Sequence, residues 1–183
     1  MKGQIEAAAI IIEGALATIR AEIANARSPA PSLPSVEKWL RWPSAHKPHF
    51  LVSPFGADRK TFTHEGLDIR APDGTEVYAC ADGVVDLIYT GKFYGICVRI
   101  LHDRKVADYQ TYYAHLKQTP VIVGQLVGQG QLIGLADNTG NSSGAHLHLT
   151  LVKIGNRTKL RGISLVGCID PMLYMIDPPA ILP

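Results

Sequence analysis

Residues 144 to 151 read GAHLHLTL, two imidazoles one residue apart in a run that otherwise alternates. Successive side chains of a β-strand point to opposite faces. His146, His148 and Thr150 then share one face, and Leu147, Leu149 and Leu151 share the other. The leucines suit a core and the histidines suit a cleft. Two other stretches carry related chemistry. His64 opens HEGLD, with Asp68 four residues on and Gly66 between them, where a sharp bend or a close backbone approach is allowed. His115 stands near the end of TYYAHL. Zinc takes imidazole nitrogen and carboxylate oxygen in tetrahedral geometry, and a catalytic zinc uses three protein ligands with the fourth position open. Two histidines and one carboxylate would make such a set. Two more histidines would then remain to move protons or steady a developing oxyanion. Residue types alone leave the parts unassigned. A same-face histidine pair also occurs as partly exposed strand polars, and His64 with Asp68 also suits a structural hydrogen-bonded pair.

The elements that must position these groups are short strands. Candidates are residues 76–80, 83–89, 96–102, 108–115, 131–135 and 146–154, separated by glycine and proline clusters. Seventeen glycines and twelve prolines in 183 residues fit a turn-rich, mainly β body. The glycine-punctuated run VIVGQLVGQGQLIG (121–134) suggests tight hairpins. It also resembles biotinyl and lipoyl carrier segments, but Lys117 precedes the run and is not at a hairpin tip.

Ahead of this body, Ile5, Ala9, Ile12, Leu16, Ile19, Ile23 and Ala26 step by four and three, an a/d seam that predicts an amphipathic helix over residues 1–27. Such a helix packs on its own domain or offers residues 5–26 to a partner, either a second copy or a larger assembly. Residues 28–35, SPAPSLPS, stop it. Residues 28–50 read as a proline-rich linker and lead-in, 51–178 as the main domain and 179–183 as a tail. His46 and His49, flanking Pro48, are expected at the surface. A net charge of +2 is no nucleic-acid footprint. No stretch has the apolar length of a membrane span. Lys2 and Ala24-Asn25-Ala26 loosely match an export leader, but Glu6, Glu13, Arg20 and Glu22 break its apolar core. Cys80, Cys97 and Cys168 form no CxxC and are expected as free thiols, the first two buried.

From Phe55 to Met175 the ordered motifs resemble the lysostaphin-type (LytM-like) zinc endopeptidases that cut peptidoglycan cross-bridges. They are FG at 55–56, HEGLDIRAPDGTEVYACADGVV at 64–85, YGICVRILH at 94–102, TYYAHL at 111–116, GQLVGQGQLIG at 124–134, NTGNSSGAHLHL at 138–149 and DPMLY at 170–174. The resemblance implies an antiparallel β-sheet domain of that type. It implies one Zn2+ held by His64, Asp68 and His148, with His115 and His146 as the catalytic pair. On this reading the polar face of residues 146–150 brings one ligand and one acid–base group to the same metal. The two sit about 7 Å apart, at roughly 3.3 Å per strand residue.

The sequence departs from the family pattern in places. The family usually has HLHFE, and here Leu149 and Thr150 replace Phe and Glu, so a carboxylate that could orient a ligand is absent from this strand. Ala145 stands where proline is common, and no tyrosine lies between Phe55 and Thr63. The expected function is zinc-dependent hydrolysis of peptidoglycan peptide at the bacterial cell wall. Without a convincing leader, the context expected is a phage or prophage lysin, virion-associated or released, with an ordinary bacterial envelope enzyme carrying an atypical leader as the runner-up. The competing reading is a non-catalytic LytM-like structural or wall-binding module, for instance in a virion or tail assembly. Degenerate relatives lose a ligand or a catalytic histidine, whereas all five are present here.

Overall fold

The computed structural model describes residues 36–104, 107–154 and 167–179. The amphipathic helix, the linker up to Ser35 and all but the first residue of the tail lie outside the described residues. A compact unit begins at Val36. Among the described residues it is almost entirely strand: β1 (Leu51–Ser53), β2 (Leu67–Arg70), β3 (Glu76–Tyr78), β4 (Gly83–Gly91), β5 (Gly95–Asp103), β6 (Asp108–Gln118), β7 (Leu126–Val127), β8 (Leu132–Ala136), β9 (His146–Ile154) and β10 (Cys168–Ile169). A short 3-10 turn over Pro171–Tyr174 follows, capped by the Asp170 carboxylate on the Met172 amide.

Every strand pair is antiparallel, in the order β1-β2-β9-β6-β5-β4-β7; β10 is added on β9, and β3 joins through β8 to β6. This is the mainly β antiparallel architecture expected from the sequence. The six candidate strands correspond to β3, β4, β5, β6, β8 and β9. The four not foreseen are two to four residues long, too short for period-two alternation to register.

The central strands are buried on both faces. On β9, Leu147, Leu149 and Leu151 are fully buried in the main core with Tyr113, Ile100, Ile69 and Leu67. Each such leucine contributes about 2 kcal/mol of burial. The other face of β9 carries His146, His148 and Thr150, opposite Ala114 and Tyr112 of β6 and Asp68 of β2. Trp39 and Leu40, ahead of β1, belong to the same core. Leu40 forms an isolated bridge to Met175, tying the lead-in to the last turn. Cys80 and Cys97 are buried free thiols, and Cys168 is half-buried and free. Among the described residues no helix is long and apolar enough to cross a membrane.

Candidate metal and catalytic centre

Asp68 is on β2 and His148 on β9, and the register sets them directly opposite each other. His148 Nδ1 lies 3.0 Å from Asp68 Oδ1. His64, on the loop before β2, brings Nε2 to 3.1 Å from the same oxygen and 3.2 Å from His148 Nδ1. Gly66 makes this approach possible. A Cβ there would come within 2.6 Å of the Leu149 carbonyl oxygen and 2.8 Å of His148 Nε2. Of the two roles foreseen for this glycine, the close approach is the one observed.

The outer atoms of the three side chains determine what faces inward. His64 Nδ1 donates to the Pro54 carbonyl at 2.8 Å, which leaves Nε2 as a lone pair. His148 Nε2 lies 2.9 Å from Thr150 Oγ1. With that nitrogen as the donor, Nδ1 is the lone pair. Asp68 Oδ2 accepts from Arg59 at 2.5 Å while Oδ1 faces the imidazoles. Burial would raise the Asp68 pKa. The imidazoles of His146, His148 and His64 around the carboxylate outweigh that and hold it well below the usual carboxylate range.

Three acceptors thus converge with edges of 3.0 to 3.2 Å. Three lone pairs facing one another repel unless a cation or protons lie between them. The face edge of a tetrahedron with zinc bonds of about 2.05 Å is about 3.3 Å. The donor types and spacing therefore fit a divalent metal of zinc's size, and His64, Asp68 and His148 are the cluster among the described residues with that capacity.

His115 and His146 stand beside this cluster, their ring centroids 4.7 Å apart. Alternation along β6 would send His115 to the same face as Thr111 and Tyr113, into the core. A bulge prevents that. Val98 faces Tyr113 and Ile96 faces Leu116, so β6 advances three residues while β5 advances two. His115 takes a left-handed φ of 59°, which costs a non-glycine residue on the order of 1 kcal/mol or more. The surroundings hold it there: its N–H donates to the Tyr94 carbonyl and its C=O accepts from the Asp137 amide, both at 2.9 Å. Its Nδ1 donates to the Thr139 carbonyl at 2.7 Å. His146 Nδ1 donates to the Gly144 carbonyl at 2.8 Å and lies 3.0 Å from Ser142 Oγ. The main chain of Asp137 joins the pair, since its C=O accepts from the His146 amide at 3.2 Å.

Both rings are thereby anchored through Nδ1, and Nε2 is the remaining nitrogen. That of His146 lies 3.4 Å from Asp68 Oδ1. Burial lowers the His115 pKa to about 4, partly offset by its bond to the Thr139 carbonyl. For His146 burial also acts downward, but the hydrogen bonds to Asp68 and Gly144 prevail and raise it.

The five foreseen residues all line one open cleft. Arg59 and Tyr94 in the cleft, and the buried Thr150 behind His148, were not foreseen as functional. Arg59 sits where a tyrosine was sought, and its proximity in sequence to His64 was the signal available. Tyr94 packs its ring 5.6 Å from that of His148 and donates its hydroxyl to Glu65 at 2.8 Å. Thr150 occupies the position of the absent carboxylate; its shared face with His148 was visible in the period-two pattern, but its use as a hydrogen-bond partner was not.

Residues 62–160 match the model for peptidase family M23. The chain is 40% identical over 97 residues to peptidoglycan DD-endopeptidase ShyA of Vibrio cholerae, a match covering 53% of this chain and 22% of that protein. The chain thus spans only about a fifth of the length of this curated relative. Among solved structures, a zinc-containing peptidase from Vibrio cholerae superposes with a TM-score of 0.60 at 28% identity, over 80% of this chain and 41% of that one. The catalytic domain of lysostaphin from Staphylococcus simulans shares the fold, with a TM-score of 0.57 at 24% identity, over 68% of this chain and 90% of that domain.

Proposed function

The chain belongs to peptidase family M23, a metallopeptidase family of the lysostaphin type, and on that premise we propose that it is a zinc-dependent endopeptidase acting on the peptide cross-bridges of bacterial peptidoglycan. The observation that carries the reading is the convergence of three lone-pair atoms, His64 Nε2, Asp68 Oδ1 and His148 Nδ1, beside an anchored imidazole pair. The name of ShyA supports peptidoglycan as the substrate class.

His64, Asp68 and His148 would hold the zinc. A zinc ion in such a site supplies an acidified water and polarises the scissile carbonyl. The rest is done by the protein. His115 and His146, held through Nδ1, each have Nε2 available to accept a proton during attack and return it to the departing amine. Arg59 takes Asp68 Oδ2 and so turns the carboxylate to present a single oxygen to the imidazoles. The cleft is open, which suits a branched polymer. Docking to a virion or tail partner, or self-association, would fall to residues 5–26.

The test is metal analysis of the purified protein together with digestion of defined muropeptides, read by mass spectrometry, which also reports the bond cut. Zinc bound at one equivalent and chelator-sensitive cleavage are expected. Zinc-loaded protein that leaves every muropeptide intact would overturn the enzyme reading in favour of a non-catalytic wall-binding module. Removing residues 1–35 and measuring solution mass tests self-association separately.

A further inference from the structure

A histidine ligand has two nitrogens, and only the one without a proton can bind a metal. For His64 the choice is made by the Pro54 carbonyl, which can only accept. For His148 the partner of Nε2 is a hydroxyl from its own strand, Thr150 Oγ1, at 2.9 Å. Thr150 follows His148 by two residues on β9 and so stands on the same face. It is fully buried, and its cross-strand neighbour Tyr112 is fully buried as well. Bulk water therefore has no ready route to replace the hydroxyl as acceptor.

Resting on the metal-site reading above, we infer that Thr150 is a positioning residue for the metal: its hydroxyl accepts from His148 Nε2–H and thereby keeps His148 Nδ1 free as the ligand atom. Without this acceptor the ring leaves a buried N–H unpaired, or moves the proton to Nδ1, where it can bond to Asp68 Oδ1. The second arrangement blocks the ligand nitrogen. Outer hydrogen-bond partners of this kind are worth about 10- to 100-fold in metal affinity.

Thr150→Val keeps the β-branched shape and replaces the hydroxyl with a methyl group, while Thr150→Ser keeps the hydroxyl and removes the methyl. Zinc affinity is measured by chelator competition for the full chain and both variants, with His148→Ala alongside. Thr150→Val is expected to weaken zinc by about 10- to 100-fold, and Thr150→Ser to remain within about threefold of the parent. Equal weakening in both variants assigns the effect to packing and overturns the inference. So does unchanged affinity in Thr150→Val while His148→Ala loses zinc, and in that case the metal-site reading stands. Unchanged zinc affinity in His148→Ala overturns both. A two-bond nitrogen–proton spectrum of the zinc-loaded parent gives a check that needs no variant. His148 should carry its proton on Nε2 and the metal on Nδ1, and the reverse arrangement overturns the inference.

Discussion

His148 and His115 present buried imidazoles to one cleft, yet their backbones are built in opposite ways. His148 lies in regular antiparallel sheet, in register with Asp68 on one side and Ala114 on the other. His115 sits at a bulge with a left-handed φ, fastened by the main chain of Tyr94 and Asp137 and by the Thr139 carbonyl. The proposed ligand side thus obtains its geometry from pairing that the sheet needs in any case. His115, one half of the proposed proton-handling pair, obtains it from strain held by loops. The difference teaches that metal binding and turnover should be separable by mutation, most cleanly at His115, whose backbone is held apart from the β9 strand that carries both His146 and His148.

The harshest break falls on the ligand side. Asp68→Ala removes the oxygen common to the cluster and leaves Arg59 without its partner carboxylate. Loss of bound zinc and at least about a 10³-fold fall in muropeptide cleavage are expected, read by metal analysis and mass spectrometry. His64→Ala should behave alike.

On the other side, His115→Ala and His146→Ala should keep zinc near one equivalent and lose about 10²- to 10⁴-fold in kcat. Metal loss in either variant would show that the two sides are not independent.

A histidine outside the cleft sharpens the contrast. His102 is fully buried, with Nδ1 donating to the Asp82 carbonyl at 2.8 Å and Nε2 lying 2.7 Å from Thr111 Oγ1. Burial pushes its pKa down from 6.5 to about 4. The native state then binds fewer protons than the unfolded chain between these values. Its contribution is fully present above pH 6.5 and is lost as pH falls toward about 4. His115 titrates over the same window, so the His102 share, about 3 kcal/mol, is read by urea unfolding as the difference between the parent and His102→Gln. In His102→Gln this part of the pH dependence should vanish.

The smallest effect isolates the strain itself. His115→Gly and His115→Ala remove the same imidazole, but glycine accepts the left-handed φ. The glycine variant should be more stable than the alanine variant by about 1 kcal/mol, measured by the same unfolding curves. Equal stability would mean that the bulge relaxes once the imidazole is gone.

Much of this was open to a reader of the chain. The alternation in HLHLTL marks which side chains face the core, because the strand period is two and leucines seek burial. The longer strands show themselves for the same reason. β2 does not: LDIR is four residues set among turn formers, and only pairing with β9 makes it a strand. Arg59 escaped notice because a guanidinium in a loop looks like any exposed charge until the fold brings Asp68 to it. His115 is the sharpest case, since the periodicity that places His148 correctly would bury His115 in the core.

Local patterning therefore determined the residue types, the strand that carries His146 and His148, and the face they share, all of which follow from backbone geometry between near neighbours. Tertiary structure alone decided where Asp68 and Arg59 meet, how His115 leaves the core, and which nitrogen of His64 and of His115 looks inward. The physical reason is that a ring's free nitrogen is set by whatever accepts from the other one. For His64 and His115 that acceptor is a carbonyl, of Pro54 and Thr139, ten and twenty-four residues away along the chain.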